Sequence, residues 1–107
     1  MTATAAGAEL RRALRDCFGA LGAPVTFEKV TSRPWASITF AGERHRLVLR
    51  LPGPGAEAAV EGFLDGLEER DFPMRGHILA DIEAAGFERE AEGQVRLTLE
   101  ALTVEDA

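Results

Sequence analysis

Residues 35–51, WASITFAGERHRLVLRL, constrain the fold of this chain more than any other stretch. Two runs of β-branched, aromatic and leucine residues flank Gly42-Glu43. A glycine at the first central position of a two-residue loop suits a type II′ hairpin turn. Such a turn pairs Ala41 with Arg44, and every later pair follows: Phe40 with His45, Ile38 with Leu47, Ala36 with Leu49. Side chains alternate faces along a strand. Thr39–Arg46, Ser37–Val48 and Trp35–Arg50 therefore share the opposite side. This register gives an apolar face of Ile38, Phe40, Leu47, Leu49 and Leu51, and a mostly polar face that includes Arg44, Arg46 and Arg50. A slip of one residue would mix the two, so turn chemistry and hydrophobic pattern agree.

Before this hairpin, apolar residues recur at helical spacing from about Ala5 to Leu21, with Leu10, Leu14, Cys17 and Phe18 in the stripe. Gly22 suits the left-handed position after a helix, and Pro24 prevents continuation. Val25–Val30 alternates as a short strand with Val25 and Phe27 inward, and Thr31–Pro34 is expected to turn. After the hairpin, Pro-Gly-Pro-Gly at 52–55 is the strongest punctuation. A second helix is expected from Gly55 or Ala56 to Arg70, with Ala59, Val60, Phe63 and Leu67 apolar. Gly62 and Gly66 share one of its faces, where they are either tolerated or allow a close approach.

His77–Ala84 alternates again, with Ile78, Ala80, Ile82 and Ala84 on one face and His77, Leu79, Asp81 and Glu83 on the other. Gln94–Thr103 repeats the pattern with Val95, Leu97, Leu99 and Ala101. A turn at Glu92-Gly93 places Ile82 and Ala84 on the face of Leu97, Leu99 and Ala101. Leu102 and Val104 fall out of phase, which suggests a bulge or strand end there. Residues 1–4 and 105–107 are expected to fray. The fold class is thus α+β: α-β-β-β-α-β-β, an antiparallel sheet with two helices packed on one face.

With 107 residues, one domain over 1–107 is expected. The formal net charge is -6, which disfavours nucleic acid as a partner. Of twelve basic residues only Lys29 is lysine; the bias to Ala, Gly and Arg is that of a GC-rich, bacterial-like coding background. The single cysteine, Cys17, excludes an intrachain disulfide and fits a reducing compartment. The opening MTATAAGAEL has no basic n-region or long apolar run, and no stretch reaches membrane-spanning length, so a cytoplasmic protein with no membrane partner is expected.

No catalytic, metal or cofactor motif is present: no G-x-S-x-G, no H-E-x-x-H and no phosphate loop. His77, Asp81 and Glu83 on one strand face resemble a metal array. However, His77 and Asp81 would lie roughly 13 Å apart on a straight strand, so a solvated face is the simpler reading. His45, opposite Phe40, could serve as a general base with Glu43, but a rim histidine is simpler still. Cys17 is most simply a small hydrophobe of the first helix. Trp35 opposite Arg50 suggests a cation–π pair. Together with Val48 and Leu79 it places apolar surface on the outer side of the sheet, which makes Trp35, Val48, Arg50 and Leu79 the candidate interaction residues.

The element order resembles that of the type III secretion chaperone-like superfamily. That resemblance implies dimerisation and binding of extended segments of other proteins. It rests on element order and carries no residue over. The first helix, three strands and second helix also resemble the double-stranded RNA-binding domain in order. Here the second helix carries Glu57, Glu61, Asp65, Glu68 and Glu69 where that family needs basic residues. The expected function is a non-enzymatic interaction module acting as a homodimer. The alternatives are a small-ligand or peptide binder of secretion-chaperone-like topology and an enzyme using His45 or His77.

Overall fold

The computed structural model describes residues 4–106. Helix α1 spans Ala5–Ala20, β1 Thr26–Ala36, β2 Ala41–Leu51, α2 Ala56–Leu64, β3 His77–Arg89 and β4 Val95–Glu105. Single 3-10 turns occupy Leu67–Glu69 and Ala91–Gly93. The strands form one antiparallel sheet in the order β1-β2-β4-β3. The class is α+β as expected, but the order is α-β-β-α-β-β, with four strands in place of five. The element order behind both family resemblances is therefore not the one observed.

The missing strand comes from one misplaced turn. β1 runs unbroken through Ser32, Arg33 and Pro34, where a turn is expected. A proline is tolerated because β1 is an edge strand, with one row of backbone groups unpaired. The chain reverses instead at Ser37–Phe40, between the paired Ala36 and Ala41. There the Ser37 amide donates to the Phe40 carbonyl at 2.7 Å, and the Phe40 amide donates to Ser37 Oγ at 3.0 Å. A serine hydroxyl that supplies the turn's second bond is a local substitute for backbone pairing. Gly42 has no positive φ and lies inside β2 opposite Trp35. The expected pairs Phe40–His45, Ile38–Leu47, Ala36–Leu49 and Trp35–Arg50 give way to Ser32–His45, Val30–Leu47, Phe27–Leu49 and Thr26–Arg50. Ile38 and Phe40 are exposed at the turn, whereas Leu47, Leu49 and Leu51 are fully buried.

The second hairpin closes between Arg89 and Val95, with Glu92 and Gly93 at positive φ. Ile82 pairs with Ala101 and Ala84 with Leu99, the face sharing that the alternation predicts. Register shifts set Ala80 and Ala85 out of the ladder in β3. β4 is regular to its end, so the irregularity expected near Leu102 belongs to β3. At the ends expected to fray, Thr4 caps α1, Glu105 closes β4, and the Asp106 amide donates to the Gly76 carbonyl. Residues 1–3 and 107 lie outside the described residues.

Both helices cover one face. Thr4 Oγ1 accepts from the Gly7 amide at 3.0 Å, an N-cap interaction. At the other end Gly22 takes φ 75, while the Ala23 amide donates to the Phe18 carbonyl and the Gly22 amide to that of Gly19. This is the double bond pattern of a Schellman ending. α2 is shorter than expected: Asp65 is extended (ψ 116) and Gly66 follows at φ 71, so the chain leaves the helix after Leu64. Arg70 then donates to the carbonyls of Gly62, Phe63 and Asp65, satisfying groups that the helix end leaves open. Gly62 meets only Leu21, at van der Waals distance, so no close helix approach is involved. Phe18 stacks on Phe63 with ring centroids 4.4 Å apart, above a floor of Leu47, Leu49, Leu97 and Leu99.

Candidate interaction surface

The ladders align residues in rows across the uncovered face of the sheet. From β1 through β2 and β4 to β3, one row reads Trp35, Gly42, Val104, Ile78. The next is Arg33, Arg44, Leu102, Asp81, and the third is Thr31, Arg46, Glu100, Glu83. Beyond them lie Lys29, Val48, Thr98, Gly86 and then Thr26, Arg50, Arg96, Glu88. The first row is apolar and reaches the exposed Ile78, next to Phe40 and the fully exposed Ile38. Its middle is flat because of Gly42. A Cβ there would stand 1.9 Å from the Thr103 carbonyl oxygen and 3.0 Å from Trp35 Nε1. The indole thus lies across the glycine, half-buried, with Nε1 out of solvent and unpaired among the described residues.

The second and third rows are polarised. Arg33, Arg44 and Arg46 line one side of a depression of about 260 Å³, and Asp81, Glu83 and Glu100 line the other. Arg33 is directly opposite Arg44, and Glu83 directly opposite Glu100. Like charges directly opposite across strands are destabilising. Arg46–Glu100 is the ion pair that crosses the divide in these rows; among the described residues Arg33, Arg44, Asp81 and Glu83 have no ion-pair partner within 4.0 Å.

Of the expected interaction residues, Trp35, Val48 and Arg50 do occupy the outer face. They do not form one patch: Trp35 is opposite Gly42, eight residues along β2 from Arg50, roughly 26 Å away. The Trp35–Arg50 cation–π pair is therefore absent; Arg50 bonds Glu28 at 3.3 Å instead. Leu79 faces the other way. The bulge at Ala80 reverses the alternation, so Leu79 packs on the helix side opposite the buried Thr103 and Ile78 takes the outer position. The same bulge separates His77 from Asp81 and Glu83, and among the described residues no group of three or more His, Cys, Asp or Glu side chains converges on a metal position. Sequence reasoning missed Ile78, Val104 and Arg33; their signal lay in a register that only the correct turn supplies.

His45 is not at a rim. It is 3% exposed, between Ser32 Oγ at 2.7 Å from Nδ1 and Thr103 Oγ1 at 2.8 Å from Nε2. The Thr103 hydroxyl donates to the Glu43 carbonyl at 3.4 Å, so its oxygen is free to accept from Nε2–H, and Ser32 donates to Nδ1. Burial holds the His45 pKa below its ordinary value; Glu43 opposes this, and His77 adds to it to a lesser degree. Its hydrogen-bond partners are hydroxyls, not the carboxylate that a general base would use as orienter. Burial likewise raises the pKa of the Cys17 thiol, with Arg70 opposing the shift. No helix of the described residues is long and apolar enough to cross a membrane. No protein-family model, curated protein or solved structure matches the chain.

Proposed function

We propose that this protein is a non-enzymatic interaction module that acts as a homodimer through the outer face of its sheet. One observation carries the reading: a face left bare by both helices holds a continuous apolar row from Trp35 through Val104 to Ile78. Exposed apolar surface rimmed by charge is characteristic of association sites, and tryptophan and arginine are enriched at their centres. The size fits. Four strands about 4.8 Å apart and ten residues at about 3.3 Å each give roughly 600 Å² per copy, near the lower bound for a specific interface.

Light scattering at tens of micromolar tests the reading. The expected mass is twice 11.5 kDa. Trp35→Ala should weaken the dimer by about 2 kcal/mol or more, roughly thirtyfold, and Val48→Asp should weaken it through an unpaired buried charge. Circular dichroism separates these effects from unfolding. A strictly monomeric wild type would overturn the reading.

A further inference from the structure

From the charge pattern of the outer face we infer that the two copies associate face to face about a two-fold axis running along the strands. This rests on the homodimer reading and specifies its geometry. A two-fold axis lying between two facing sheets has two simple orientations. Running across the strands, it sets β1 against β1 and β3 against β3 of the second copy. Arg46 would then meet Arg46 of the second copy, and Glu83 would meet Glu83. Running along the strands, it sets β1 over β3 and β2 over β4, row upon row.

The second arrangement relieves the two polarised rows; in the last row Arg50 lies over Arg96 of the second copy, where both already bond Glu28 of their own chain. Arg33 meets Asp81 of the second copy, and Arg46 meets Glu100. Each like-charge pair, destabilising within one chain, thereby gains one opposite charge, at Arg33 and at Glu100, while Arg44 faces Leu102 and Glu83 faces Thr31. Trp35 settles on Ile78 of the other copy, and the flat Gly42 position receives Val104. Strands stay within the roughly 30° alignment at which sheets pack face to face.

Charge reversal tests the geometry, because Arg33 and Asp81 sit on opposite edges of one sheet, roughly 14 Å apart by strand spacing. Both are exposed and, among the described residues, make no ion pair within 4.0 Å, so their reversal should leave folding intact. R33D places like charges at two symmetric contacts and should raise the dimer dissociation constant about tenfold or more; D81R should do the same. Mixing the two variants should restore dimers as heterodimers, since each contact then joins opposite charges. The R33D/D81R double variant should restore the homodimer. Analytical ultracentrifugation, with one variant fluorescently tagged, reads all four cases. A wild-type dimer that either single reversal leaves intact, or that mixing does not rescue, overturns this geometry and leaves the homodimer standing. A monomeric wild type overturns both.

Discussion

Replacing His45 by leucine tests whether the Ser32–His45–Thr103 chain is a structural polar bridge. The ring makes two hydrogen bonds, to Ser32 Oγ at 2.7 Å and Thr103 Oγ1 at 2.8 Å, and is 3% exposed. Each bond contributes about 1 kcal/mol net. A leucine of similar size removes both and strands two hydroxyls. Ser32 is half-buried and can turn to water, while Thr103 keeps the Glu43 carbonyl. The penalty is therefore at the low end, about 2–3 kcal/mol, or a fall in Tm of roughly 8–15 °C for a chain of this length. Removing the stranded hydroxyls as well, in S32A/H45L/T103V, should recover most of the loss, because replacing all partners by apolar groups is nearly neutral. Urea unfolding of the set measures this.

The pH response has a definite sign. The folded His45 pKa lies below its ordinary value of 6.5 through burial. As pH falls through about 6.5 the unfolded chain takes up the proton first, so stability is full above that pH and declines below it, until the folded protein's own lower pKa is passed. H45L should lose this decline. A wild type that gains stability on mild acidification, or a triple variant no better than H45L alone, refutes the reasoning.

Two further outcomes follow from the observed register. Phe40→Ser should change stability by no more than about 0.5 kcal/mol, because Phe40 is exposed at the turn, while Leu47→Ala should cost about 2–5 kcal/mol; chemical denaturation gives both, and equal losses would return Phe40 to the core. Gly42→Ala should cost about 1–3 kcal/mol, since its Cβ meets the Thr103 carbonyl and the Trp35 indole; the assay is thermal melting with tryptophan emission, and an unchanged spectrum and Tm would refute the close approach.

The helices, the polarity of the sheet and most of the core were legible from periodicity, because burial repeats with the geometry of each element. The Schellman ending at Gly22 was legible for the same kind of reason: one residue type suits one backbone conformation. The first hairpin was not, since two local signals misled together. Gly42 looked like turn chemistry, but its lack of a side chain serves a cross-strand contact with Thr103, 61 residues on. Pro34 looked like a break, but an edge strand tolerates it, and edge position depends on the strand order of the whole sheet. On the candidate surface, Trp35, Val48 and Arg50 were assigned to the correct face. Leu79 was not, because an alternation rule cannot foresee that Ala80 stands outside the ladder.

All three register shifts fall in β1 and β3, at Glu28, Ala80 and Ala85, while the central β2–β4 ladder has none. Those two strands are the edges of the sheet, the places where unpaired backbone groups invite a further strand from another molecule. A bulge twists an edge and breaks the even spacing that a docking strand must match. Pro34 removes one donor from β1, and Lys29 adds a charge beside the bulge at Glu28. The same irregularities that reverse side chains along β3 thus make both rims poor templates. Growth by strand addition, the route to open-ended fibres, is thereby disfavoured on each side of the sheet.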